Sequence, residues 1–253
     1  KMRLFRNKEK TKGAVINGED PLIGKYLHFA GVESFYLFGY GDGCEAEIDR
    51  TRIILHIAGD SEEYDLAGTD LGTVTGCLNS AAALLAVKPL GVTRDSALAT
   101  LRSFQTGRHR LQNVGNGNGI SFINDSKATN TGAVNRGLEQ VGGPVVLIAG
   151  GKEKGDDFCL LRDAVRRHVR GVVLIGEAAP KMARMLNDLV PVKYAEDMKE
   201  AVRIAVREAC PGDTVLLSPA CASFDMFDSY IHRGELFEKA VREVISGFQG
   251  QAS

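Results

Sequence analysis

What the sequence lacks narrows its chemistry before any motif is considered. Its 31 lysines and arginines stand against 32 acids, a formal net charge of −1, so the basic excess or stripe that marks a nucleic-acid partner is missing. No apolar run approaches the ~20 residues of a membrane span. The basic opening Lys1-Met2-Arg3-Leu4-Phe5-Arg6 passes into a polar stretch from Lys8 to Lys12, without the apolar block of a secretory signal. Five cysteines (Cys44, Cys77, Cys159, Cys210 and Cys221) are odd in number, widely spread and form no C-x-x-C pair, which argues against a zinc site or a disulfide framework. A cytoplasmic protein without membrane insertion is expected. The histidines His28, His56, His109, His168 and His232 lack metal-ligand spacing. No Gly-x-Ser-x-Gly elbow surrounds Ser218, Cys221 and Ser223, so those residues read as small-residue packing and not as a nucleophile.

What is present describes a folded α/β protein. With 44% apolar and 25% charged residues over 253 positions, the chain can build two ordinary cores or one large one. From Gly13 to about Asp65, short apolar runs at 14–16, 34–38 and 52–57 predict strands. Two Ala- and Leu-rich helices are expected at 80–87 and 96–104, separated by the breakers Pro89 and Gly91. The basic, glycine-containing Thr106-Gly107-Arg108-His109-Arg110 then marks a hinge. Beyond it strand and helix alternate. Strands are expected at 111–114 and 120–123, joined by a turn over Gly115 to Gly119, and at 145–149, 171–175 and 214–217, where continuous apolar runs suit a parallel sheet buried on both faces. Asp197 with Glu200 makes a capping-box-like start to a helix whose apolar face is Met198, Ala201, Val202, Ala205, Val206 and Ala209. Phe237, Ala240, Val241, Val244 and Ile245 predict a final amphipathic helix. The pattern is a doubly wound sheet from about residue 107 onward.

Polar side chains gather at two strand ends. Phe122-Ile123-Asn124-Asp125-Ser126-Lys127-Ala128-Thr129-Asn130 runs from a strand into an acid, a base and hydroxyls just before a helix. In an open α/β sheet that crevice is where ligands lie. Asp125, Lys127 and Thr129 alternate by two and so share one side while the strand persists. A capping turn would account for Asp125 or Thr129 but not for the charge of Lys127 at a helix N-terminus. A second polar turn, Ser218-Pro219-Ala220-Cys221-Ala222-Ser223-Phe224-Asp225, follows another apolar strand. Between them, Gly150-Gly151-Lys152-Glu153-Lys154-Gly155 sits after a buried strand, where glycine permits close backbone approach and lysine can meet an anion. Taken alone that loop reads equally as an ordinary solvated connection. His109-Arg110 at the hinge reads either as a surface pair or as a phosphate contact, arginine offering bidentate hydrogen bonds to oxygen pairs.

In this order and spacing, Asn124 to Asn130, Gly150 to Lys154 and Ser218 to Ser223 resemble the Mur ligases of peptidoglycan synthesis, and among them the branch that adds D-glutamate. The resemblance spans nearly all of the chain and is strongest after Thr106. It implies an ATP-dependent, amide-bond-forming ligase of cell-wall biogenesis. In that family ATP phosphorylates the alanyl carboxylate of UDP-N-acetylmuramoyl-L-alanine, and the amine of D-glutamate attacks the acyl phosphate with Mg2+ and cations stabilising the charge. Residues 1–106 would be the distal part of the central ATP-binding domain, and 107–253 the whole C-terminal, dinucleotide-binding-like domain. The UDP domain would be missing, as is any Gly-x-x-x-x-Gly-Lys-[Ser/Thr] phosphate loop. The chain then reads as a piece of a longer polypeptide, inactive by itself.

The same resemblance assigns residues. Lys154, Thr129, Ser223 and the Phe224 backbone carry over to D-glutamate, with Tyr230 as an aromatic wall. Asp125 and Lys127 match positions near the nucleotide and the reacting groups, and Arg110 with His109 positions that contact ATP. Lys1 aligns with the lysine whose carbamate joins a magnesium site, oxygen being the ligand that magnesium prefers. Where the family shows His-Asn before the helix said to begin at Asn79, this chain has Thr75-Gly76, leaving Asn79 to read adenine. A monomer is expected. The competing class is a non-catalytic module of Rossmann-like fold that binds D-glutamate or a nucleotide.

Overall fold

The computed structural model describes residues 13–20, 23, 25, 35–57 and 59–250, the last two without their side chains. The chain divides into two units, Lys1–Thr106 and Gly107–Ser253.

The first unit carries a five-stranded sheet in sequence order: β1 (Ala14–Asn17), β2 (Phe35–Gly39), β3 (Ala46–Asp49), β4 (Arg52–Ile57) and β5 (Asp60–Asp65). The β1, β2 and β3 strands run parallel, whereas β3, β4 and β5 form an antiparallel meander. Helices α1 (Val74–Val87) and α2 (Arg94–Ser103) follow. The α1 residues Cys77, Ala81, Leu84 and Leu85 pack with Ala46, Ile48, Ile53, Leu55 and Tyr64 of the sheet in one core. Two strands went unpredicted for a physical reason: β3 is only four residues long, and β5 reads Asp-Ser-Glu-Glu-Tyr-Asp with Tyr64 alone buried. The helix expected from residue 80 begins six residues earlier, where the Thr73 hydroxyl accepts a hydrogen bond from the Gly76 N–H. Asn79 is therefore inside α1 and does not start it.

The second unit is doubly wound. Its six strands, β6 (Gln112–Gly117), β7 (Ile120–Asn124), β8 (Val145–Gly150), β9 (Val169–Ile175), β10 (Val192–Tyr194) and β11 (Thr214–Leu217), lie in the order β10-β9-β8-β11-β7-β6, parallel except for the β6 edge. Between them run α3 (Thr131–Val141), α4 (Arg162–His168), α5 (Ala179–Leu186) and α6 (Met198–Glu208), and α7 (Tyr230–Gly250) closes the chain. Period-two alternation sends Leu147, Ala149, Val172, Leu174 and Leu216 to one core, and Val146, Ile148, Val173, Ile175, Val215 and Leu217 to the other. The expected cap forms at α6: the Asp197 carboxylate accepts from the Glu200 N–H at 2.7 Å, and Glu200 reaches back to the Glu196 N–H.

The glycine run is mostly strand and not turn. The hairpin turns at Asn118 and Gly119, both with positive φ (52° and 75°), while Gly115 and Gly117 lie in β6. A Cβ on Gly117 would come within 3.0 Å of Ile245 and Phe248, so glycine there lets α7 lie close on the sheet.

Candidate functional site

Three loops leave the carboxyl ends of neighbouring strands, and hydrogen bonds tie them together. The first follows β7, the second β8 and the third β11. The Ala220 N–H donates to Ala128 O (3.0 Å), the Gly150 N–H to Pro219 O (2.9 Å), and Lys152 with Ala222 exchanges two backbone bonds of 2.9 and 3.2 Å. Ala220 holds φ +61° to do so, a left-handed conformation costly for a residue with a Cβ. Gly151, at φ +127°, lies so near Ala222 O that a Cβ would stand 2.3 Å from it. The loops thus reach one another by backbone, and small residues permit it.

The first loop departs from the expected geometry. Strand β7 ends at Asn124, and Asp125 to Ala128 form a turn closed by the Ala128 N–H on Asp125 O at 2.9 Å. The alternation argument for Asp125, Lys127 and Thr129 accordingly fails, because the strand has stopped before it can apply. The helix cap is neither Asp125 nor Thr129 but Asn130, which accepts from the Ala133 N–H.

Asp125 is buried. Its Oδ2 accepts from the Ser218 hydroxyl at 2.9 Å and its Oδ1 from the Leu111 N–H at 3.3 Å. Burial outweighs those bonds and pushes its carboxyl up to about 6. Lys127 is half-buried with its ammonium 3.8 Å from the centre of the Tyr230 ring, a cation–π contact that answers the question of its charge at this helix end. Ser126, between them, donates its hydroxyl to Tyr230 O at 2.7 Å.

The structure therefore brings Asp125, Lys127 and Tyr230 into one contiguous cluster. Thr129 is half-buried in the same loop, and Ser223 is buried in the third loop beside an outward Phe224 that is 70% exposed. Lys154 is exposed on the second loop, two residues past the Lys152–Ala222 bridge. Arg110 is exposed, but His109 is not a surface residue: at φ +64° its ring turns inward, 2% of the residue exposed, with Nδ1 2.9 Å from Asn124 Nδ2. Burial holds the imidazole below its ordinary value although Glu238 pulls the other way. A neutral ring suits an Nδ1 that accepts from an amide. Asn79 is exposed on α1 in the first unit, and Lys1 lies outside the described residues. Cys221 is packed as expected, and burial pushes its thiol up to about 12, so it stays protonated at neutral pH.

Sequence reasoning missed Arg233 and Glu238, and held Asn124 only as a member of the strand-end string, without a role. Asn124 Nδ2 also lies 3.1 Å from Gly234 O and 3.2 Å from Glu238 Oε1, and its Oδ1 accepts from the Ser126 N–H. Arg233 is fully buried. One signal was available: Arg233 and Phe237 are four apart, which puts a charge on the apolar face of the last helix, where none belongs without a partner.

Residues 109–221 match the family model for the Mur ligase, glutamate ligase domain. The chain is 41% identical over 244 residues to a UDP-N-acetylmuramoylalanine–D-glutamate ligase of Desulfotalea psychrophila, covering 96% of this chain and 53% of that protein. A ligase of the same name from Bordetella pertussis is 49% identical over 172 residues, 68% of this chain and 34% of its own length. The sequence similarity to D-glutamate ligases thus runs over nearly all of the chain, and the matched Mur ligase domain lies within the second unit. The chain spans about half the length of the D-glutamate ligase from Desulfotalea. In fold it is similar to the MurF ligase of Thermotoga maritima solved with ADP, at TM-score 0.65 and 18% identity over 96% of this chain and 56% of that one. Among the described residues, no helix is long and apolar enough to cross a membrane, and no group of three or more His, Cys, Asp or Glu is arranged to hold a metal ion.

Proposed function

We propose that this chain supplies the amino-acid-acceptor half of an ATP-dependent ligase that joins D-glutamate to UDP-N-acetylmuramoyl-L-alanine in peptidoglycan synthesis, in the cytoplasm. The observation that carries this reading is the joining of three polar loops at the carboxyl ends of β7, β8 and β11, two of them bearing a cation. A substrate with two carboxylates needs such donors and positive charge. The names of the relatives support the substrate, and their greater length leaves room for the rest of the enzyme.

In this reading Lys154, Thr129, Ser223 and the Phe224 backbone hold the carboxylates of D-glutamate, and the ring of Tyr230 walls the pocket. Lys127, held over that ring, places positive charge near the acyl phosphate and the oxyanion that forms when the amine attacks it. Asp125 and Arg110 lie toward the nucleotide, with His109 holding the backbone from which Arg110 projects. ATP is the substrate that activates the carboxylate as a phosphoric anhydride. Asn79 faces adenine, and residues 1–106 belong to the ATP-binding domain, 107–253 to the C-terminal one. Magnesium finds no fitted cluster among the described residues, so its place in this chain rests on a carbamate at Lys1 alone.

The test is Lys154→Ala in a ligase of the relatives' full length that carries this chain. The KM for D-glutamate should rise tenfold or more, since a charge-assisted hydrogen bond worth about 1.5–3 kcal/mol is lost, while the KM for ATP stays within twofold. An unchanged D-glutamate KM removes Lys154 from the pocket. A parent protein that binds D-glutamate without releasing phosphate from ATP is a binding module and not a ligase.

A further inference from the structure

The Arg233 guanidinium touches all three loops and has no acid hydrogen-bonded to it. Its Nε donates to Ser126 Oγ at 3.0 Å and its Nη2 to Ser126 O at 2.8 Å, both in the first loop. Its Nη1 donates to Cys221 O and Ala222 O, each at 3.1 Å, in the third. From the second loop Gly151 abuts it, a Cβ there falling 3.2 Å from Nη1. The residue is 0% exposed. A buried charge ordinarily needs an ionic partner, yet these acceptors are three carbonyls and a hydroxyl. The nearby carboxylate of Asp225 gives its Oδ2 to the Glu177 N–H instead, at 2.9 Å. Burial lowers the Arg233 pKa to about 10 although Cys221 and Asp225 pull it the other way, so the group stays charged at neutral pH.

Ser126 separates Asp125 from Lys127, and Cys221-Ala222 run directly into Ser223. Beside the Ala128–Ala220 backbone bond and the Asp125–Ser218 bond, the distance between the two halves of the acceptor pocket is held by one planar fork with donors in fixed directions, which a lysine ammonium cannot reproduce. We propose that Arg233 is a positioning residue that fixes the first loop against the third and whose unpaired positive charge tunes the pocket for a dicarboxylic amino acid. It contacts no substrate, being sealed beneath the loops. This inference rests on the acceptor-site reading given under Proposed function.

The experiment compares Arg233→Met and Arg233→Lys in the full-length ligase. Arg233→Met should raise the KM for D-glutamate on the order of 100-fold while the KM for ATP stays within twofold. Arg233→Lys, which keeps the charge and loses the fork, should recover part of that loss. A folded Arg233→Met enzyme with unchanged D-glutamate KM overturns the proposal, as does a parallel rise in both KM values, which a merely structural role would give. Should Arg233→Met fail to fold, Ser126→Ala decides: it removes the Nε acceptor together with the hydroxyl's bond to Tyr230 O, leaves Ser126 O on Nη2, and should raise the D-glutamate KM several-fold with the KM for ATP within twofold, no change in the D-glutamate KM counting against the idea. If the parent enzyme itself shows no D-glutamate-dependent turnover, the acceptor-site reading fails first and this inference falls with it.

Discussion

The two units both pair charges at the surface but differ in how many polar groups they bury. In the first, polar side chains meet on the outer surface of the sheet: Arg52 pairs with Asp49 and Glu63, and His56 Nε2 lies 3.6 Å from a Glu47 oxygen. In the second, His109, Asn124, Asp125, Ser126, Thr131, Asp213, Ser218, Ser223, Arg233 and Glu238 are buried, and Ser80 is the one comparable residue of the first unit among those described. Burying polar groups costs stability unless every donor and acceptor is met. A fold needs few of them. Seven of the second unit's ten are joined to one another or to the loops around the strand ends, which places the cost at the candidate site, and the comparison can be attacked residue by residue.

Asn124→Ala is the hardest blow. It would strip partners from His109 Nδ1, Gly234 O, the Glu238 carboxylate and the Ser126 N–H at once. At ~1–3 kcal/mol for each buried group left unsatisfied, with partial relaxation, we expect a loss on the order of 4 kcal/mol. Urea unfolding of the 253-residue chain measures it. A loss smaller than that of an average surface substitution would mean that the cluster is not a unit.

Asp125→Asn comes next, and its effect depends on pH. The native carboxyl titrates at about 6 against an ordinary value of 3.8, so the folded chain holds a proton that the unfolded chain has already released. That contribution is fully present below about pH 3.8 and is lost as pH rises through about 6. The gap of roughly two pH units corresponds to about 3 kcal/mol. Asparagine removes the charge and keeps an oxygen for Ser218 or Leu111. The variant should therefore be the more stable protein at pH 8, the advantage closing below pH 4, while turnover in the full-length ligase falls. Stability curves that run parallel across this range would show that Asp125 is not the buried acid the geometry describes.

How much of this was legible beforehand follows the same division. The β8 run Val145 to Ala149 and the face of α6 announced themselves because burial on two faces, or on one helical stripe, demands apolar residues at every such position. Strand β5 could not, since only Tyr64 of its six residues meets a core, and β10 is a three-residue edge. At the site, the loops that carry Asp125, Lys127, Lys154 and Ser223 were recognisable as polar strand ends. Their geometry was not. Where β7 stops is decided by the local Asp125 turn together with the pairing of Ala128 with Ala220, a contact more than 90 residues apart that no local pattern encodes. His109 looked like half of a surface pair because an inward ring requires a positive φ that its neighbours do not announce.

Ser80→Ala tests the exception in the first unit. The Ser80 hydroxyl is buried in α1 without a hydrogen-bond partner. Replacing it removes an unmet polar group and gains helix propensity, so stability should rise by about 1 kcal/mol. A loss would reveal a partner for the hydroxyl.

The smallest effect is expected from Arg52→Ala, although Arg52 makes more ion pairs than Asp125 makes hydrogen bonds to side chains. Its guanidinium sits 2.6 Å from Asp49 and 3.6 Å from Glu63, with side chains about half exposed on each side. Water and salt screen such pairs, and holding two long side chains in one geometry opposes the gain. The urea midpoint should stay within error of the parent at 0.15 M salt. A clear loss there that vanished at 1 M salt would mean that the surface of the first sheet is held by its charges, and the contrast with the buried cluster of the second unit would have to be redrawn as one of degree.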